Sequence, residues 1–169
     1  HDPGPHCPKN SDMVHIMIAP NLSPRFSAVD EKPHCSTKQV GKLKIIFLSR
    51  ISKMKNLEGA LSLLKDLAGT VQFDIYGPIE DKGYWAGCQR IIGLLPSNVQ
   101  VNYCGSVEHL RVSGLMQKYE LFFLPTLGEN FGHVILEAFC AGLPVLISNL
   151  TRWRDLEKEK VGWDIPLKN

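Results

Sequence analysis

From Leu43 onward, short apolar runs alternate with longer amphipathic stretches, the pattern of a parallel sheet covered by helices. The runs predict strands over Lys44–Leu48, Val71–Tyr76, Val99–Cys104, Leu121–Leu124 and Val145–Ser148. Between them, helical spacing predicts helices over about Asn56–Ala68, Asp81–Leu94, Glu108–Lys118 and Phe131–Ala141. The fold class expected is α/β, a Rossmann-like parallel sheet with helices on both faces. Right-handed connections would then gather Ser49–Lys55, Gly77-Pro78, Gly105–Val107 and Pro125–Gly132 along one edge, at the carboxyl ends of the strands. Residues 1–40 read differently: Pro3, Pro5, Pro8, Pro20, Pro24 and Pro33 break any long element, and only Val14–Ala19 has strand character.

Composition narrows the classes. A chain of 169 residues suffices for one domain with a good core. Its 44% hydrophobic and 21% charged content is ordinary for a globular protein. A formal net charge of +2 offers no dense basic stripe, so a nucleic-acid partner is not expected. No apolar run approaches the roughly 20 residues that cross a bilayer, and the first residues lack the basic start and apolar core of a secretion signal. Cys7, Cys35, Cys88, Cys104 and Cys140 are scattered without a Cys-x-x-Cys pair, which favours a reducing, cytoplasmic setting. Cys104 and Cys140 read as small core residues. His6-Cys7 and His34-Cys35 have no partner at metal-ligand spacing, and no metal is expected there.

The chemistry concentrates in Glu129-Asn-Phe-Gly-His-Val-Ile-Leu-Glu137, where two carboxylates flank an aromatic-glycine turn leading into an apolar helix. Gly128 is expected to allow a tight turn that projects Glu129, and Gly132 to let a ligand approach the backbone. Free N–H groups around Phe131 to Val134 would form a helix-start site for phosphate or sugar hydroxyls. Glu137, about one turn in, could accept from vicinal hydroxyls such as those of a ribose.

These motifs, with Leu48-Ser-Arg50-Ile-Ser-Lys-Met-Lys55-Asn, Phe73-Asp-Ile-Tyr-Gly77-Pro78, Val99-Gln-Val-Asn-Tyr-Cys-Gly105-Ser-Val107 and Ala138-Phe-Cys-Ala-Gly-Leu-Pro144-Val, resemble the C-terminal, donor-binding domain of the family 4 (group 1) retaining GT-B glycosyltransferases. The resemblance covers about Lys42 to Pro166. It implies an interdomain-type strand and Ala19-Pro20-Asn21 turn within residues 1–40, and a nucleotide-sugar-binding domain over 41–169, with Val161–Pro166 as its last strand and the closing helices absent. An N-terminal acceptor domain would be missing. The implied activity is hexosyl transfer from a UDP- or GDP-sugar to an acceptor with retention of configuration. The implied location is the cytoplasm, at the inner face of the membrane if the whole enzyme meets a lipid-linked acceptor. No cofactor beyond the donor substrate is implied.

The resemblance also assigns roles. Arg50 and Lys55 would hold the donor diphosphate and stabilise the charge that develops as the glycosidic bond breaks. Glu129 would contact the transferred sugar and Glu137 the ribose. Phe131, Gly132 and His133 would offer backbone groups to sugar and phosphate, Gly105 and Val107 would border the base, and Gly77 would shape the turn beneath it. Each has a plainer alternative: solvated surface cations for Arg50 and Lys55, acids complementing a helix dipole for the glutamates, a merely exposed loop side chain for His133, and ordinary strand-end turns for the rest. Trp153 sits where the family carries Gly-Gly, and its role is open. Two rival functions are a sugar-nucleotide epimerase or phosphorylase on the same fold, and a non-catalytic nucleotide- or protein-binding domain. A dehydrogenase is disfavoured because no Gly-x-Gly-x-x-Gly follows the first strand.

Overall fold

A computed structural model describes residues 39–167. The expected strand at Val14–Ala19, its Pro-Asn turn, Cys7, Cys35 and both His-Cys pairs lie outside the described residues. Six parallel strands form one sheet in the order β3-β2-β1-β4-β5-β6. They are β1 (Lys42–Leu48), β2 (Thr70–Tyr76), β3 (Val99–Gly105), β4 (Leu121–Leu124), β5 (Val145–Ser148) and β6 (Gly162–Ile165). The α-helices are α1 (Leu57–Leu64), α2 (Lys82–Ile92), α3 (His109–Met116) and α4 (His133–Cys140). One short 3-10 turn at Lys53–Lys55, absent from the sequence-based assignment, precedes α1.

The central strands carry continuous apolar runs because both of their faces are covered. Ile45, Ile46 and Phe47 are essentially inaccessible, as are Phe122 and Leu124 on the neighbouring β4. Phe47 meets Phe73 edge-on at 6.3 Å between centroids, and Phe73 meets Phe123 at 6.4 Å, so aromatic packing spans β1, β2 and β4. Strand β3, at the sheet edge, is less covered. Cys104 is therefore exposed, as is Cys140 at the end of α4, which corrects the expectation that both are core residues. Among the described residues the buried thiol is Cys88 of α2, and desolvation pushes it up to about 11, so it packs as an inert apolar group.

Beneath the edge, Asp74 is buried and accepts from Gln72 Nε2, Asn102 Nδ2 and Tyr119 Oη at 2.7–2.8 Å, a network that satisfies a charge inside the fold. The helices end earlier than their periodicity predicts. After Leu64 the chain turns through Gly69 (φ +82°), and Asn98 Nδ2 donates to the carbonyls of Leu67 and Gly69, which would otherwise face no helical partner.

The order 3-2-1-4-5-6 reverses between β1 and β4, so the loops after these two strands diverge on either side of a crevice. That crevice is where the motif loops converge.

Candidate functional site

The floor of the crevice is a backbone arrangement that only glycine permits. Ser49 N–H donates to Tyr76 O at 3.0 Å and Ile51 N–H to Pro78 O at 2.9 Å, extending the β1–β2 pairing past the strand ends. Gly77 adopts φ +131°, and a Cβ there would fall 2.0 Å from the Ser49 carbonyl oxygen. Its own carbonyl accepts from Tyr103 Oη at 3.0 Å, and its N–H donates to Gly105 O at 2.8 Å. The three strand-end loops are thus joined before any ligand arrives.

Across the switch point, the loops after β1 and β4 are stitched together. Asn56 is left-handed (φ 55°); its Oδ1 accepts from Gly59 N–H to cap α1, while its Nδ2 donates to Pro125 O at 2.8 Å. Thr126, fully buried, lies with its hydroxyl 2.9 Å from Met54 O and 2.7 Å from Gly128 O, and Leu127 N–H donates to Met54 O at 2.8 Å. Ser148 Oγ donates to the Thr126 carbonyl from β5. The result places Lys55 Nζ 2.5 Å from Glu129 Oε2, both side chains nearly buried at 11% and 16% exposure. Residues distant in sequence by a whole half-domain so form one ion pair.

Helix α4 begins at Gly132 (φ +73°), which offers no side-chain cap, so the helix start faces the crevice bare of one. Glu137, one turn further, is buried with its Oε1 3.2 Å from Nδ1 of His109, the first residue of α3. Burial raises the Glu137 carboxyl above its ordinary value, and the nearby His109 and His133 pull it back down. Arg50 leans outward to Glu80 at 2.9 Å, and both are largely exposed.

A cavity of about 460 Å³ joins these groups, lined among others by Arg50, Lys55, Gly77, Val107, His109, Glu129, Gly132, His133 and Glu137. The guanidinium expected at one end of the site and the carboxylate at the other therefore share one crevice. Phe131 and Gly105 are not among the lining residues. The Phe131 carbonyl accepts from Trp153 Nε1 at 2.8 Å, its ring packs against Trp153 and His133, and Arg152 lies 5.1 Å over it. Phe131 thus anchors the turn from behind. Gly105 (φ +75°) turns β3 toward Ser106 and Val107, which do line the cavity. Gly128 does not adopt a positive φ; the left-handed residue of this turn is Gly132, because the reversal occurs at the helix start.

Sequence reading missed several supports. Asn56, Thr126 and Ser148 touch the loops that carry Lys55 and Glu129, and Trp153, whose role the sequence left open, holds Phe131 O. Asn56 before the apolar run Leu57–Leu64 was a legible N-cap signal. Nothing in the sequence singles out His109, whose partner is 28 positions away. Among the described residues no group of three or more His, Cys, Asp or Glu could hold a metal ion, and no helix is long and apolar enough to cross a membrane.

Residues 29–166 match the family model for glycosyl transferases group 1. The chain belongs to this family. As a group 1 glycosyltransferase chain it is 32% identical over 123 residues to the 2-deoxystreptamine N-acetyl-D-glucosaminyltransferase of Niallia circulans, covering 69% of this chain and 31% of that protein. Its fold is similar to that of Anabaena HepE solved with UDP and glucose, at TM-score 0.60 and 22% identity over 66% of this chain and 30% of that one. It is similar also to WaaG, a glycosyltransferase involved in lipopolysaccharide biosynthesis, at TM-score 0.59 and 22% identity over 76% of this chain and 34% of that one. The group 1 chain thus spans about a third of the length of these relatives, and its sheet and helices are the Rossmann-like α/β arrangement of GT-B glycosyltransferases.

Proposed function

We propose that this chain is the donor-binding half of a retaining glycosyltransferase and that the crevice between β1 and β4 takes a nucleoside-diphosphate sugar, UDP- or GDP-linked. The observation that carries the reading is the convergence of Arg50, Lys55, Glu129, Glu137 and the uncapped start of α4 on one cavity. A diphosphate needs cations and backbone N–H groups; a sugar and a ribose need carboxylates that accept paired hydroxyls. All of these groups line the one crevice.

In this reading Lys55 and the α4 start bind the diphosphate, and Arg50 turns from Glu80 to join them. Charge-assisted bonds to the phosphates are worth about 1.5–3 kcal/mol each, and they gain strength as the leaving phosphate develops charge. Glu129 orients the transferred hexose and Glu137 holds the ribose. With two cations and a helix dipole at the linker, a divalent ion is not needed to neutralise the leaving group. The leaving phosphate itself takes the acceptor proton on the face from which it departs, so configuration is retained. The acceptor is selected by an N-terminal domain of the longer protein, one that works in the cytoplasm and reaches a lipid-linked acceptor at the inner membrane face.

Titration of the folded chain with UDP, GDP and their sugars tests this reading. Binding of one nucleotide, weakened at least tenfold by Glu137→Ala with an unchanged circular-dichroism spectrum, is the expected result. Folded protein that gives no response to either nucleotide refutes it.

A further inference from the structure

Among the cation–carboxylate pairs that line the crevice, one joins two helices and has no counterpart in the motifs: His109 and Glu137. His109 opens α3 and Glu137 lies one turn inside α4, so the contact ties the two helix starts that face the cavity. The Glu137 side chain is only 11% exposed, whereas the imidazole is 55% exposed and lines the same cavity. The carboxylate therefore pays most of the desolvation, and the histidine is the partner that water and ligand can reach. With Oε1 facing the ring, Oε2 remains for a ligand hydroxyl.

We propose that His109 is a positioning residue for donor binding, its ring holding Oε1 of Glu137 so that the carboxylate presents its other oxygen to the ribose hydroxyls. This rests on the donor-binding reading above and adds to it a residue that acts through another. The other charged or titratable groups around this cavity are Arg50, Lys55, Glu129 and His133. Arg50 is paired with Glu80 and Lys55 with Glu129, and His133, at the start of α4, joins His109 in drawing the Glu137 carboxyl down against its burial. His109 Nδ1 lies 3.2 Å from Glu137 Oε1.

Glu137 must be ionised to accept a pair of hydroxyls, and burial favours its protonated form as pH falls. The His109 ring draws the Glu137 carboxyl down against that burial, so its removal costs affinity most as pH falls and least as pH rises.

The test measures UDP and GDP affinity of the chain at about pH 5.5 and about pH 8 for wild type, His109→Asn, His109→Lys and Glu137→Gln with and without His109→Asn. Expected are a loss of about two- to five-fold in His109→Asn at the lower pH, the range for a half-exposed ion pair, and near-identity at the higher. His109→Lys, which places a cation beside Glu137, recovers the low-pH affinity, and His109→Asn becomes silent once Glu137 is Gln. A wild type that binds nucleotide while His109→Asn follows the same pH profile overturns the proposal. So does a deficit equal at both pH values and persisting in the Glu137→Gln background, which makes the ring a direct contact or a support of the fold. A wild type that binds neither nucleotide fails the donor-binding reading itself, and His109 with it.

Discussion

Replacing Lys55 by Met isolates the ion pair on which the crevice is built. Lys55 Nζ sits 2.5 Å from Glu129 Oε2, and the side chains are 11% and 16% exposed. Among the described residues Glu129 has no other cation at ion-pair distance. Methionine keeps the length of the side chain and leaves a nearly buried carboxylate alone. Removing one member of a buried pair typically costs 3–5 kcal/mol; because this pair borders a cavity that admits water, about 2–3 kcal/mol is expected. For a domain of this size that lowers the thermal midpoint by about 6–10 °C. The double variant Lys55→Met, Glu129→Leu removes both charges and should return to within about 1 kcal/mol of wild type, since an apolar pair of similar volume replaces a buried ionic one at little net cost. Urea unfolding followed by tryptophan fluorescence reads all four corners of the cycle. A single variant within about 0.5 kcal/mol of wild type, or a double variant as unstable as the single, refutes the claim that the pair is desolvated and coupled.

Two further perturbations probe the backbone and the anchor behind the site. Gly77→Ala places a Cβ 2.0 Å from Ser49 O at φ +131° and should cost about 2–4 kcal/mol in urea unfolding, whereas Gly105→Ala, also at positive φ but meeting nothing within 4 Å, should cost about 1–2. Equal losses would show that strain alone, not the close approach to the β1 loop, sets the cost. Trp153→Phe keeps an aromatic ring against Phe131 and Phe139 but deletes the Nε1–H that donates to Phe131 O together with part of the indole's packing, so a loss of about 1–3 kcal/mol and faster amide exchange across the turn before α4 are expected. Unchanged exchange there would mean that the loop is held by Thr126 and Gly132 without the indole.

The strands of the main pattern were legible because each is a short apolar run bounded by polar residues, and β1, β4 and β5 lie where Lys44–Leu48, Leu121–Leu124 and Val145–Ser148 predict them, β1 starting two residues earlier. The loops that gather at the switch point follow from the alternation alone, once connections are right-handed. Helix lengths were overestimated where amphipathic residues continue past the last helical turn: Lys65 to Ala68 keep the composition of α1, but the chain there turns into Gly69 and is capped from Asn98, a partner about 30 residues away. Exposure of Cys104 was likewise invisible, since an alternating strand reads the same in the centre of a sheet as at its edge. In the site, Lys55 and Glu129 were legible as a cation and an acid, but their contact was not. It depends on Asn56, Thr126 and Ser148, ordinary residues in sequence that become specific only when β1, β4 and β5 bring them together.

The three pairs along the crevice also bear on what it will accept. Arg50, Lys55 and His109 each face a carboxylate, Glu80, Glu129 and Glu137 respectively. On the donor-binding reading, a phosphate that draws Lys55 away leaves Glu129 nearly buried and unpartnered, which offsets much of the gain. A ligand that brings hydroxyls to the same carboxylate removes that penalty. Inorganic diphosphate has the anion without the hydroxyls, and a free sugar has the hydroxyls without the anion. A nucleoside-diphosphate sugar has both, and a ribose diol besides. On that reading, exchange of ion pairs for ligand contacts selects for the joined molecule over either part, because each charge displaced in the crevice must find its new partner on the same ligand.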